Sequence, residues 1–422
     1  MATPPHIEEP LDDLTSLDRA PRKPMSYRWL LVLGGLAIIV SILLVYAENR
    51  VYQPNTPFSG GISDHVHAFA LDPFHQEHFY LGTHYGFFRT TDGGATWTRL
   101  NGIGGIAQTL VATSVSVSPF DGNTVYVTGY ELASGNAAGV YVTHDDGAHW
   151  TNLPTGGAGN LPDPRLLFVA AGWGGAGEGY AYSINAGLFR TRDGGKHWQS
   201  VAAPFAGQVT SFVPALACAD PAQATTAVGS SCPERFLVGT TQGFFIGQNT
   251  AATAITFTAV PQVTGYIYAV VAHRGTQPVV YVSNQQGIFQ AANPDGTFNQ
   301  ISSVANGAPT LTSLAVSGGD STLLFGVTPQ NIVQSSHNSG QTWSPVGSSL
   351  LSRGLSQLSS GLRSATGSNT PQWAGGQNQF LTVIQAPADN STEVYAAISF
   401  PTKLFLSGDG GTNWNDLSQS GS

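Results

Sequence analysis

Short apolar runs separated by turn residues fill most of this chain. The first set reads "VHAFALDP" (66–73), "HFYLGTHYG" (78–86) and "FFRTTDGG" (87–94), followed by an outer "WTRL" (97–100). Runs of four to six residues, rich in Val, Phe, Tyr and Thr and bounded by Gly, Pro and Asp, predict β-strands. The same order of runs and turns returns in "SVSVSPFDGNTVYVTGY", "ERFLVGTTQGFF", "VVYVSNQQGIF" and "STEVYAAISFPTKLF". Four strands to a unit, repeated along the chain, predict the blades of a propeller.

One stretch breaks the pattern. Trp29 to Ala47, "WLLVLGGLAIIVSILLVYA", is 19 residues without a charge, enough to cross a bilayer core of ~30 Å as a helix. Arg19, Arg22, Lys23 and Arg28 precede it, and Arg50 alone follows closely. That bias predicts a cytoplasmic N-terminus with everything after Glu48 outside. Val45-Tyr46-Ala47 resembles a signal-peptidase site, but a 28-residue leader with five acids favours an uncleaved anchor. The expected organisation is a disordered cytoplasmic tail (1–28), a transmembrane signal-anchor helix (29–47), a linker (48–64) and the repeat region (65–422).

The turn before each outer strand is more regular than its surroundings. It reads "TTDGGATW" (Thr90–Trp97), "THDDGAHW" (Thr143–Trp150), "TRDGGKHW" (Thr191–Trp198), "SHNSGQTW" (Ser336–Trp343) and "SGDGGTNW" (Ser407–Trp414). The pattern Ser/Thr-x-Asp-x-Gly-x-x-Trp, carried by Asp92, Asp145, Asp193, Asn338 and Asp409 with Trp97, Trp150, Trp198, Trp343 and Trp414, resembles the Asp-box, or BNR repeat. Two worn copies, near Phe257 and Phe298, fill the gap between Trp198 and Trp343. The anchors at 97, 150, 198, 257, 298, 343 and 414 predict seven units. The expected fold is therefore all-β: a single seven-bladed β-propeller of four-stranded antiparallel blades, preceded by one transmembrane helix. The last unit ends on its own outer strand, "WNDL", so closure needs no strand borrowed from the N-terminus. In such turns the Asp accepts backbone N–H groups, the Gly takes a backbone angle closed to other residues and the Trp packs into the sheet. They are scaffold.

Composition narrows the function. Only 10% of the residues are charged, three are Lys, and the net charge is −9. A protein that grips a phosphate backbone carries a basic stripe, so nucleic acid is excluded as a partner. Cys218 and Cys232, fourteen residues apart on the outer side, are expected to form a disulfide closing a loop.

In a propeller, the entry to strand one and the turn between strands two and three share one face, opposite to the Asp-boxes. That face carries Asp64, His65 and His67 at the entry of the first inner strand, and His84 in the next turn but one. His65, His67 and His84 are candidate ligands for a divalent metal, zinc or copper, or acid–base groups. Asp64, Glu131 and Asp163 are the candidate catalytic carboxylates, and Arg165, Gln242, Asn284 and Gln285 add polar groups to the same rim. The long connection Gly347–Gln377 carries Arg353, Arg363 and Trp373 and could fold over the mouth.

The repeats resemble the Asp-box propeller superfamily, which includes sialidases, xyloglucanases, the sortilin ectodomain and the photosystem II assembly propeller. The opening "HVHAFALDP…LGTHYGFFRTTDGG" is similar to small single-propeller bacterial proteins described as glycosyl hydrolase-like. The resemblance speaks to fold and hardly to function. A sialidase would bring an Arg-Ile-Pro motif, absent here, and six blades. A xyloglucanase would bring a second propeller. The expected function is a membrane-anchored, extracytoplasmic binding or scaffold module for a glycan or a membrane or periplasmic protein. The alternatives are a glycoside hydrolase using two of the three carboxylates and a metal-dependent site at the three histidines.

Overall fold

In a computed structural model the described residues run from 54 to 419, excluding 61–63, 154, 157–158, 206, 219–231, 251–253, 274–277, 331, 347–382, 388–391 and 400–401. The chain divides into two compact units, 1–50 and 51–422, and the description concerns the second. The expected tail, the anchor at 29–47, most of the linker and Trp373 lie outside the described residues. Among the described residues no helix is long and apolar enough to cross a membrane.

The second unit is a seven-bladed β-propeller. Seven four-stranded antiparallel sheets follow one another in chain order, and each pairs its strands strictly in sequence. Blade one is β1 (Val66–Leu71), β2 (Phe79–Thr83), β3 (Gly86–Thr90) and β4 (Thr98–Arg99). The innermost strands of the other blades are β5 (Leu110–Val117), β9 (Leu166–Ala171), β13 (Val209–Leu216), β17 (Ile267–Ala272), β21 (Ser313–Val316) and β25 (Val383–Gln385). Each neighbours the next around the axis, and β25 meets β1 to close the ring. All four strands of the last blade come from the C-terminal part of the chain, so closure uses no N-terminal strand, as expected. Instead Val66 N donates to the Ser399 hydroxyl (3.0 Å) and Gln385 Nε2 to Phe69 O (2.8 Å).

Second strands are sandwiched between neighbouring blades and read as buried throughout: Phe79–Thr83, Gly179–Ser183, Val280–Asn284 and Val394–Ile398. Their side chains alternate between the two inter-blade cores. Phe79 and Leu81 pack with Tyr395 and Leu404 of blade seven, whereas Tyr80 joins Leu110, Val125 and Trp150 of blade two. Each buried large apolar side chain contributes about 1.5–3 kcal/mol, so the ring is held by its inter-blade layers. A Cβ at Gly82 would lie 2.5 Å from Ala112 O, which is why the second strand carries a glycine where blade two approaches.

The five Asp-boxes share one geometry. In blade two, Asp145 Oδ1 accepts His149 N (2.8 Å) and the Thr143 hydroxyl (2.7 Å), and Gly147 N donates to that hydroxyl (3.0 Å). The glycines at the fifth position, Gly94, Gly147, Gly195, Gly340 and Gly411, all have φ between 82° and 94°. Trp97, Trp150, Trp343 and Trp414 donate their indole N–H to that glycine's carbonyl. One regularity was hidden in the sequence pattern. The residue before each Trp (Thr96, His149, His197, Thr342, Asn413) bonds its side chain to the Asp or Asn. The turns are scaffold that satisfies itself locally, with the Trp198 indole N–H the exception, and Cys218 and Cys232 form the expected disulfide.

Candidate functional site

The registers explain how blade one assembles its mouth. Val66 pairs with Thr83 and Ala68 with Gly82, so His67 is an extra residue bulged out of the ladder. A bulge bends the strand and re-aims its side chain. The equivalent bulged positions are Thr113, Leu167, Thr210 and Tyr268 in blades two to five. The inner ends of these strands are stitched across blades: the Thr210 hydroxyl donates to Ile267 O (2.8 Å), and Ser114 Oγ accepts Val169 N (3.2 Å).

His65 precedes β1 and His84 follows β2. They are joined through the backbone, with His84 N donating to His65 O (3.0 Å). Beneath them Asp64, fully buried, accepts His65 N (2.9 Å) and His84 N (3.0 Å) on one carboxylate oxygen. Burial pushes the Asp64 carboxyl up to about 6, while the Thr83 hydroxyl and the backbone amides pull the other way. A Cβ at Gly60 would lie 2.1 Å from Asp64 Oδ2, so the segment before the blade seals the carboxylate from above. Asp64 ties the loop together from a fully buried position.

The three imidazoles converge. Ring centroids are 4.3 Å (His65–His67), 4.9 Å (His65–His84) and 5.8 Å (His67–His84) apart, and the Tyr130 ring meets His67 edge-on at 6.3 Å. One ligand nitrogen from each histidine lies within 4.8 Å of the other two. His67 Nε2 and His84 Nδ1 are buried and have no hydrogen-bond partner among the described residues. Burial, and then the neighbouring histidines, hold His67 well below the usual imidazole range. Burial and His65 take His84 down to about 4. Both rings are neutral at physiological pH, and each offers a lone pair or an N–H into the cluster. A desolvated polar group without a partner costs about 1–3 kcal/mol.

The other expected site residues separate into two groups. Asp163 accepts the Ser183 hydroxyl (3.1 Å), Asn185 Nδ2 (3.0 Å) and both the backbone (3.0 Å) and Nε (3.0 Å) of Arg165. Burial opposes ionisation there, yet Arg165, Asn185 and Ser183 bring the carboxyl down to about 2. Asn284 is fully buried. It accepts Gln286 N (2.8 Å) and Gly287 N (3.1 Å) and donates to Thr264 O (2.8 Å). Asp64, Asp163 and Asn284 thus do one job in three blades, tying the turn after the second strand to the entry of the first. Glu131, Gln242 and Gln285 remain on the rim with accessible side chains, and the exposed Arg165 is paired to Asp163.

A second cluster escapes the repeat pattern. Glu178 precedes β10 (Gly179–Ser183), Arg190 lies on β11 (Gly187–Thr191) and Glu234 opens β14 (Glu234–Thr240). All three are buried on the Asp-box side between blades three and four. Arg190 Nε donates to Glu178 Oε1 (2.8 Å), its Nη2 reaches the same oxygen, and its Nη1 reaches Asn249 (2.8 Å). The sequence signal was faint: Arg190 matches Arg89, which makes the analogous clasp from blade one to Asp146 of blade two (3.0 Å).

No family model matches the chain, and no curated protein matches it. Among solved structures, YCF48 from Cyanidioschyzon merolae is 14% identical over 84% of this chain and 96% of its own, with a TM-score of 0.49. A structure of YCF48 bound to D1 peptide is 19% identical over 67% of this chain and 82% of its own, at 0.46. An ancestral GH74 enzyme is 15% identical over 83% of this chain, with a TM-score of 0.47; the match spans about half, 48%, of that enzyme. These likenesses bear on the fold alone.

Proposed function

We propose that this chain is a non-catalytic binding propeller. It takes a glycan or protein partner on the face that carries the turns between second and third strands. The observation behind this reading is the engagement of Asp64 and Asp163, one fully buried and the other holding Arg165 and two neutral side chains. A glycoside hydrolase needs two carboxyl groups facing the scissile bond. Of the three candidates, Glu131 alone keeps an accessible side chain on the rim. Glu131, Gln242 and Gln285 supply the mix of acceptors and donors that a polar partner requires. Residues 29–47 would tether the propeller to the cytoplasmic membrane with the binding face outside.

Photo-crosslinking tests the choice of face. A benzoylphenylalanine at Gln242 should capture a partner, or a photoreactive glycan probe, in the full chain expressed in membranes. The same group at Phe120, exposed on the Asp-box side, should not. Equal capture from both positions, or capture from Phe120 alone, contradicts the proposal.

A further inference from the structure

We propose that His65, His67 and His84 form a binding site for one divalent transition-metal ion, zinc or copper. The inference deepens the reading of this face as the binding face, but it does not depend on the identity of the partner. Three observations carry it.

The first is convergence: one nitrogen from each ring lies within 4.8 Å of the other two. Around zinc, with Zn–N bonds of about 2.0–2.1 Å, tetrahedral geometry places ligand nitrogens about 3.3 Å apart. The backbones of His65 and His84 are already held by Asp64, so closing that gap is left to the side chains. The second is orientation: His67 Nε2 and His84 Nδ1 are buried in the cluster without a partner among the described residues, and a shared cation would take a lone pair from each.

The third separates the cluster from the needs of the fold. At the positions that register with His65, His67 and His84, blade three has Arg165, Leu167 and Ile184. Blade four has Gln208, Thr210 and Thr241, and blade five has Tyr266, Tyr268 and Gln285. The propeller closes with apolar, hydroxyl, aromatic, amide or guanidinium side chains at these places. It does not require imidazoles. Three imidazole nitrogen donors with no carboxylate or thiolate among them suit zinc or copper rather than magnesium or calcium. With three protein ligands, a fourth position stays open.

A second histidine cluster serves as an internal control. Asp72, His75 and His78 lie in the turn after β1, on the opposite side. There Asp72 already receives Phe74 N (2.7 Å) and His75 Nδ1 (3.0 Å), and the His75 side chain is 57% exposed.

The test uses the full chain, purified without a histidine tag, loaded with Zn²⁺ or Cu²⁺ and freed of excess ion. Metal content is then read by elemental mass spectrometry, and Cu²⁺ by its electron paramagnetic resonance spectrum. One metal per chain is expected, with nitrogen hyperfine structure from the imidazoles. His67→Gln and His84→Gln should each weaken uptake about tenfold or more while the thermal transition persists, and His75→Ala should leave it unchanged. His65→Gln serves if either of these variants fails to fold. A folded chain that takes up neither ion, or uptake that survives the triad variants, overturns the site, as does uptake lost with His75→Ala. Because no partner is present in this assay, its failure leaves the choice of binding face standing. Equally, metal uptake with no preference between Gln242 and Phe120 in crosslinking would sink only the partner-binding reading.

Discussion

The Tyr180 hydroxyl lies 3.3 Å from Glu234 Oε2, across the junction between blades three and four. The same hydroxyl is 3.0 Å from Glu178 Oε1, which already accepts from Arg190. A phenol has one proton to donate, so both contacts are hydrogen bonds only if a carboxyl supplies another. That proton belongs on Glu234: its burial, and then the nearby Glu178, raise it well above the usual glutamate range.

The contribution of Glu234 to stability should therefore fall as pH rises. Below the unfolded value of about 4.5 both states carry the proton, and Glu234 adds no pH dependence. Above it the unfolded chain releases a proton that the folded chain keeps, so ionisation favours unfolding until the folded site also titrates. In melting temperatures taken between about pH 5 and pH 8 this contribution should oppose that of His67 and His84, which stay neutral in the folded chain and favour it as pH rises towards 6.5; Glu234→Gln should tilt the profile upward with pH. A slope unchanged by Glu234→Gln would remove the proton from this site.

Arg190 is the cation paired with Glu178 at that junction. Replacing it by Met leaves Glu178 buried without its guanidinium and should destabilise by about 3–5 kcal/mol. The double change Arg190→Met with Glu178→Gln should recover part of the loss. Denaturant unfolding reads both, and strict additivity of the two changes would mean that the groups are not coupled.

Asp145→Ala removes the acceptor for His149 N, the Thr143 hydroxyl and His149 Nδ1 (2.6 Å). A loss of about 1–2 kcal/mol is expected. Asp145→Asn should cost less, because Asn338 fills this role in blade six, accepting Thr342 N (2.9 Å) and the Ser336 hydroxyl (2.9 Å). Partner binding should be unaffected by either change, and a binding defect in a stably folded Asp145→Asn protein would assign the Asp-boxes more than a structural role.

The disulfide closes a segment with a sequence separation of 14. Cys218→Ser with Cys232→Ser should lower stability by about 3 kcal/mol on the chain-entropy view, measured as a drop in denaturation midpoint. Reduction of the native chain should reproduce it; an unchanged midpoint would show that the closed loop adds nothing to the folded state.

The fold was legible because each blade repeats local chemistry. A Ser/Thr, an Asp or Asn, a Gly and a Trp at fixed offsets build a turn that satisfies itself, and this needs no distant partner. Even the two worn copies read correctly, since β16 (Ile255–Thr264) and β20 (Asn299–Ser303) are outer strands of their blades. The site was legible only in part. Alternation brought His65 and His67 to one side of a strand, but the bulge at His67 depends on pairing with β2 and left no mark in the sequence. Asp64, Asp163 and Asn284 looked like rim chemistry because the turns they tie arrive from about twenty residues away, at separations of 20, 22 and 20. The Glu178–Arg190–Glu234 group was invisible for the same reason, with Glu234 meeting Tyr180 from 54 residues away.

The most direct test of the central claim is a search for turnover. The full chain, incubated with a broad panel of oligosaccharides and followed by mass spectrometry, should release no cleavage product, whether or not it binds. Products that vanish on Asp64→Asn or Asp163→Asn, in protein that still folds, would make these carboxylates catalytic and contradict the account.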